Sequence, residues 1–368
     1  IKKRPQTFDS LIDQEFVVAT LKSSITQGRI AHAYLFSGPR GVGKTSAARI
    51  LAKALNCNEG PSATPCDTCG SCREITAGNS LDVIEIDGAS NTSVNDVREI
   101  KDEVLFAPNS SRYKVYIIDE VHMLSNSAFN ALLKTIEEPP PYIVFIFATT
   151  EIHKVPATIR SRCQQFTFRL ISTDGIKKML SQAAQELNIT IEDEALFWIA
   201  KESTGSMRDA YTLFDQIVSF SDKKVTLDLI QEKLGIVGID ELSTIVREIA
   251  EGNGKKVLEQ TDAILEKGIS IEQFVVDLTE YFRNLLFLKH GIKKDYILGY
   301  SVESFPMDIV DKFPIHHIEC GLELLLDLYR SFRFSISQKF ELELLMSRLA
   351  SLHKLITRQE ILTELKQI

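Results

Sequence analysis

Ala33-Tyr34-Leu35-Phe36-Ser37-Gly38-Pro39-Arg40-Gly41-Val42-Gly43-Lys44-Thr45-Ser46 decides the fold of this chain. Residues 38–45 fit G-x-x-x-x-G-K-[ST], the loop whose glycines let backbone N–H groups turn inward onto phosphate oxygens. Ala33 to Phe36 reads as a short apolar strand, and Ala47 to Leu55, free of Pro and Gly, reads as a helix. Strand, loop and helix in that order put the positive end of the helix beside the anion. The pattern assigns Gly38, Gly41, Val42, Gly43 and Ser46 to the phosphate cradle, Lys44 to the β and γ phosphates, and the Thr45 hydroxyl to Mg²⁺.

Two further apolar strands extend the pattern. Lys114-Val115-Tyr116-Ile117-Ile118-Asp119-Glu120 ends in adjacent carboxylates, and its unbroken apolar run suits a strand covered on both faces. Ligands sit at the carboxyl ends of such strands. Asp119 is expected in the Mg²⁺ shell, with Glu120 polarising the attacking water. Tyr142 to Ala148 leads into Thr149-Thr150, bringing a hydroxyl to the same pocket, and Asp82 to Asp87 supplies another strand. Strands alternating with helical stretches predict a doubly wound parallel α/β sheet. Arg162 and Arg208 are arginines that such a pocket can use against charge developing in phosphoryl transfer; each alone is as well read as a surface ion-pair partner.

Four of the six cysteines crowd into one segment, as Cys57, Cys66, Cys69 and Cys72. Thiolates at that spacing can converge on one ion in a closed tetrahedral shell, for which zinc is the natural occupant and a structural role the natural one. An iron–sulfur cluster and disulfides are the competing readings, the first without other signs of redox work, the second disfavoured in a reducing compartment. Cys163 and Cys320 read as small buried apolar residues.

The 368 residues, 44% of them hydrophobic, suffice for two or three cores. A net charge of -8 argues against a surface coated for nucleic acid. No apolar run approaches the ~20 residues that cross a bilayer and no signal-peptide pattern is present, so a cytoplasmic multidomain protein is expected. Ile1 in place of Met suggests a fragment.

Together, the loop at 38–45, the Cys₄ insert directly after its helix, Asp119-Glu120-Val121-His122-Met123-Leu124, Ala148-Thr149-Thr150, Ser161-Arg162-Cys163 and Gly205-Ser206-Met207-Arg208-Asp209-Ala210 resemble the bacterial DNA polymerase III gamma/tau family of AAA+ clamp-loader ATPases. The resemblance implies that Thr150 is the sensor reading the γ-phosphate, Arg208 the lid sensor, and Arg162 the arginine finger offered to a neighbouring subunit. It also implies that Arg4-Pro5 and Ile12-Asp13-Gln14 enclose the adenine. Asp13 stands where the family usually has Gly, and Ser90-Asn91-Thr92-Ser93 where relatives often carry basic residues facing DNA.

Three domains are expected: an AAA+ nucleotide-binding domain with its zinc module over 1–172, a helical lid over 173–235, and an all-α collar over 236–368. In the collar Leu342, Leu345, Leu349, Leu352 and Ile356 repeat at helical spacing. The implied cofactors are ATP, Mg²⁺ and Zn²⁺. The implied partners are other loader subunits in a ring-like hetero-oligomer, a sliding clamp and primer-template DNA, with no membrane. Two other readings are a scaffold subunit that binds ATP without hydrolysing it, and another AAA+ DNA motor such as a branch-migration ATPase.

Overall fold

A computed structural model of the chain describes residues 4–90, 103–221 and 223–354. Asn91, Thr92, Ser93 and Ile356, singled out above, lie outside the described residues. The chain forms two compact units, Ile1–Leu180 with Glu202–Leu213, and Ser181–Lys201 with Phe214–Ile368.

The first unit is built on five parallel strands: β1 (Ala33–Ser37), β2 (Val83–Asp87), β3 (Lys114–Asp119), β4 (Ile143–Thr149) and β5 (Gln164–Thr167), in the spatial order β2-β3-β4-β1-β5. Helices α1 (Glu15–Thr26), α2 (Lys44–Asn56), α3 (Gly70–Ala77), α4 (Asn126–Glu137) and the single-turn α5 (Ala157–Arg160) accompany them. Period-two alternation divides the strand residues between two cores. Val115, Ile117, Val144 and Ile146 join α1 and α2, whereas Tyr116, Ile118, Phe145 and Phe147 join α4. Stacked rings of Tyr116, Phe145 and Phe147 run through the second core. Helix α2 is buried almost all round because Ala47, Ala48, Ala52 and Ala54 let it lie close to the sheet.

Strand register decides which residues share the carboxyl edge. Ser37 pairs with Thr149, and Asp87 with Asp119, so the ends of β1, β2, β3 and β4 form one rim above which the 38–45 loop turns. Strand β5, absent from the sequence reading, adds the outer edge beyond β1.

Four helices follow: α6 (Thr173–Glu186), α7 (Asp193–Glu202), α8 (Met207–Ser219) and α9 (Leu227–Leu234). Two-residue strands Thr190–Ile191 and Lys224–Val225 pair between them in parallel; they are too short to carry a periodic signal. The remaining helices are α10 (Ile239–Glu251), α11 (Gly254–Glu266), α12 (Ile271–Lys289), α13 (Asp295–Leu298), α14 (Met307–Lys312), α15 (Ile315–Ser331) and α16 (Gln338–Ala350). They share one apolar core. Gly321 allows α15 to approach α12, since a Cβ there would stand 2.6 Å from the Phe282 ring. Leu342, Leu345 and Leu349 are buried on α16, but the helix stops at Ala350 and Leu352 continues the stripe from a 3-10 turn.

Asp82, just before β2, is buried, and its carboxylate accepts from the amides of Asn109, Ser110 and Ser111 at 2.7, 2.9 and 2.8 Å. Burial opposes ionisation, but these three donors outweigh it and hold the carboxyl below its ordinary value. A depressed carboxyl contributes stability that is complete above the unfolded pKa of ~3.9 and is lost as pH falls through the lower folded value. Asp82→Ala should therefore cost about 2 kcal/mol or more at pH 7, with the gap to the wild type narrowing below pH 4 in denaturant titrations. A pH-independent gap would show that the charge is irrelevant.

Candidate functional site

The loop after β1 needs three left-handed backbone positions, and glycine occupies each. Gly38, Gly41 and Gly43 have φ of 143°, 76° and 101°. A Cβ on Gly38 would lie 2.4 Å from the Phe168 carbonyl oxygen, and one on Gly41 would lie 1.9 Å from Ser206 Oγ. Both positions lack room as well as needing glycine's conformational freedom. Val42 is buried and Ser46 half-buried, and Gly43 is the residue from which α2 starts. Lys44 is 6% exposed and donates to the Gly38 and Pro39 carbonyls at 2.8 and 2.7 Å. Burial pulls its ammonium below the ordinary lysine value, against the charges of Glu120 and Asp119.

Across the rim, the Thr45 hydroxyl donates to Asp119 Oδ2 at 2.6 Å. Glu120 has φ 46°, a left-handed conformation that costs a non-glycine residue energy and is found preferentially where function demands it. Its Oε2 accepts from the Thr150 hydroxyl at 3.0 Å. Lys44, Thr45, Asp119, Glu120 and Thr150, named separately from sequence, thus meet at one strand edge.

Gly88 and His122 were missed as site residues. A Cβ on Gly88 would stand 2.8 Å from the Asp119 carbonyl oxygen and 2.7 Å from that of Glu120; the glycine is visible in sequence, but only the β2–β3 pairing gives it meaning. His122 was quoted within a motif without a role, and it sits between Glu120 and Glu151.

The remaining residues fall into three groups. Arg4 and Pro5 line a narrow crevice with Ser46, Arg49 and Lys53 of α2. Gln14 is 3% exposed and spends both ends of its amide on the Arg169 backbone, donating to the carbonyl at 2.8 Å and accepting from the amide at 3.1 Å. Beside it Ile12 is half-buried, and Asp13 adopts φ 55°, the conformation a glycine would favour. The Asp13 carboxylate accepts from the Ser172 amide at 2.6 Å, at the threshold of α6. Arg208 opens α8 with its Cβ 3.3 Å from where a Gly41 Cβ would be, and Met207 N–H donates to the Gly41 carbonyl at 3.1 Å. Arg162 is instead paired with Glu137 at 2.6 Å and donates to the Thr158 carbonyl.

The four cysteines come together. All four sulfurs of Cys57, Cys66, Cys69 and Cys72 lie within 4.8 Å of one another, and none forms a disulfide. Tetrahedral Zn–S bonds of 2.3 Å imply S···S separations of roughly 3.8 Å, and the sulfurs of Cys57 and Cys66 stand 3.5 Å apart. Amides of Cys66, Cys69 and Cys72 point at sulfurs at 3.4 Å. Amide hydrogen bonds from Thr68 and Cys69 pull the Cys66 thiol down to about 6, favouring thiolate, whereas burial pushes Cys72 up. Cys57 caps α2 and Cys69 caps α3. Cys163 and Cys320, expected to be buried, are only half-buried, and burial still pushes the Cys163 thiol up to about 12.

Sequence models of known families match three successive stretches. Residues 13–172 match the DNA polymerase III delta subunit, 175–223 the ATPase lid domain of the DNA polymerase III clamp loader subunit, and 225–365 domain III of DNA polymerase III subunits gamma and tau. DNA polymerase III subunit tau of Bacillus subtilis is 45% identical over 286 residues, 78% of this chain and 51% of that protein. The tau subunit of Escherichia coli is 46% identical over 277 residues, 75% of this chain and 43% of that protein. DNA polymerase III subunit gamma of Buchnera aphidicola subsp. Schizaphis graminum is 37% identical over 346 residues, 94% of this chain and 95% of that one. The chain therefore spans about half the length of the tau relatives and nearly all of this gamma relative.

Gly41→Ala should lower the thermal midpoint more than Gly28→Ala, because Gly28 has a similar φ of 67° but open space around it. Both changes carry the left-handed penalty of ~1–2 kcal/mol, so only the first adds the clash with Ser206. Equal midpoints in thermal melts would mean that the turn at Ser206 does not press on the loop.

Proposed function

The chain belongs to the DNA polymerase III gamma/tau family, and on that premise we propose that it is an ATP-hydrolysing motor subunit of a clamp loader, opening a sliding clamp and loading it onto primer-template DNA. The observation that carries this reading is the meeting of Thr45 with Asp119 and of Thr150 with Glu120 at the mouth of α2, beside Lys44. That is a phosphate cradle, a Mg²⁺ holder and a water-activating carboxylate within one rim.

In the proposed cycle, the backbone amides of Gly38, Gly41, Val42 and Gly43, with Ser46 behind them, receive the phosphates. Lys44 exchanges the Gly38 and Pro39 carbonyls for phosphate oxygens. The Thr45 hydroxyl and Asp119 would hold Mg²⁺, which would offset phosphate charge, and Glu120 polarises water while Thr150 reads the γ-phosphate. Arg208 meets the phosphates from α8, next to Gly41. Arg162 leaves Glu137 to serve the ATP of a neighbouring subunit, where an arginine finger is worth ~10³-fold or more. Arg4, Pro5, Ile12 and Gln14 border the base, with Gln14 as the strut that holds the border to Arg169. The domains we assign are 1–172, 173–235 and 236–368, the last as a collar joining neighbours in the ring. The compartment is the cytoplasm; no helix among the described residues is long and apolar enough to cross a membrane.

Zn²⁺ is assigned to Cys57, Cys66, Cys69 and Cys72. Four protein thiolates leave no open position, so the metal would tie the end of α2 to the start of α3 rather than do chemistry.

The test is ATP turnover by the chain assembled with its partner subunits. Primed DNA and clamp together should stimulate it strongly. Lys44→Ala should lose tight ATP binding with the fold intact, and Glu120→Gln should keep ATP bound without turning it over. Undiminished turnover in both variants would overturn the assignment.

Elemental analysis should find one zinc per chain, removable by strong chelators with loss of local stability around α3. A metal-free chain of unchanged thermal midpoint would remove the zinc assignment.

A further inference from the structure

Glu120 is held through one of its two oxygens. Its Oε2 accepts from the Thr150 hydroxyl at 3.0 Å and from the Thr150 amide at 3.3 Å, and His122 Nδ1 stands 3.3 Å from the same oxygen. Among the described residues no hydrogen bond reaches Oε1. The two oxygens of this carboxylate are therefore unequal, one saturated by protein and one with its lone pairs available.

The His122 side chain is only 7% exposed, and each ring nitrogen has a close polar neighbour. Nδ1 lies 3.0 Å from the Thr149 hydroxyl, which in turn accepts from the Glu151 amide at 3.0 Å. Nε2 faces Glu151 Oε1 at 3.4 Å, and Glu151 also pairs with Lys154 at 2.9 Å and His153 at 3.5 Å. The ring thus bridges two carboxylates, one at the rim and one on the turn that follows β4. His122 belongs to the 3-10 turn Val121–Met123, entered through the left-handed Glu120. That turn brings the ring back over the carboxylate of the residue two positions earlier.

A carboxylate that polarises water must keep one oxygen aimed at the water while the other is immobilised. Thr150 supplies donors from the residue just past β4 alone, and a carboxylate held from one direction can still swing about its last side-chain bond. His122 supplies the second direction. We infer that His122 is a positioning residue for Glu120: the buried ring, with Nδ1 3.3 Å from Oε2 and Nε2 facing Glu151, walls off the Oε2 side of the carboxylate, and Oε1 is thereby presented to water. The inference rests on the ATP-hydrolysing reading given above.

The experiment compares His122→Ala, His122→Asn and His122→Gln with the wild type and Glu120→Gln in the assembled complex, measuring kcat, KM for ATP and ATP binding at equilibrium. Misplacing a reacting group by about 1 Å costs on the order of 10²-fold, so kcat should fall by about that factor in His122→Ala. A group that acts only on the chemical step leaves ground-state binding alone, so KM and ATP affinity should stay within about twofold. The amide nitrogen of Asn falls near the position of Nδ1, whereas that of Gln falls near Nε2. His122→Asn should accordingly recover much of kcat and His122→Gln little.

A side chain that merely fills space predicts the reverse, because Gln matches the ring's volume better than Asn. A Gln variant as active as Asn, an Ala variant with wild-type kcat, or a loss confined to ATP binding would each overturn the inference. Turnover lost in Glu120→Gln but kept in His122→Ala would sink it alone and leave the ATPase reading standing. A wild-type complex that does not hydrolyse ATP would sink both.

Discussion

The hydrogen bond from Thr45 to Asp119 joins the first turn of α2 to the end of β3, and the geometry of the rim depends on it. It requires that the loop turn tightly enough to bring the helix mouth over the sheet, which explains the three left-handed glycines. It also requires that β3 end where β1 and β4 end, which the parallel register supplies. Buried apolar strands fix that register, since a one-residue slip would turn Tyr116, Ile118, Phe145 and Phe147 out of their core. Core packing and site geometry are thus one constraint seen at two distances.

Charge is concentrated where the backbone is least relaxed. Glu120 is left-handed, Lys44 is buried beside Glu120 and Asp119, and His122 lies between Glu120 and Glu151. Away from the rim many ion pairs are between exposed side chains, such as Lys339 with Asp262 and Arg330 with Asp327, which stabilise little. Lys53 differs from these, being 1% exposed and paired with Asp67, a residue between two of the clustered cysteines. Removing Asp67 would leave a buried ammonium uncompensated, a far larger disturbance than losing a surface pair.

Local signals made much of this legible in the amino-acid sequence. Glycine spacing, unbroken apolar runs and C-x-x-C-x-x-C are short-range patterns, and the strands, α2 and the cysteine cluster follow from them. What escaped depends on residues far apart in sequence. The Gln14 amide pairs with Arg169, 155 positions away, and no periodicity announces that. Gly88 matters only because β2 lies beside β3, and His122 only because Glu120 turns the chain back on itself. Strand β5 is four residues long and half-exposed, so neither alternation nor an apolar run marks it. Asp13 is the opposite case: the departure from glycine was visible, but its tolerance of φ 55° and its bond to Ser172 could be seen only in three dimensions.

Helix α2 begins at Lys44 and is capped by Cys57, so its two ends belong to two different side-chain clusters, the rim and the four cysteines. Each residue of an α-helix advances the chain by 1.5 Å and rotates it by about 100°. One residue inserted or deleted anywhere along its thirteen would swing Cys57 by about 100° out of the cysteine cluster or, equally, turn Lys44 away from the loop. Restoring both ends together takes whole turns, and a whole turn lengthens the span by about 5.4 Å, more than the 4.8 Å within which the cysteine sulfurs lie. The residue count of α2 is therefore fixed at both ends. Length variation among chains built on this plan has to fall elsewhere, in segments that carry a ligand on one side only.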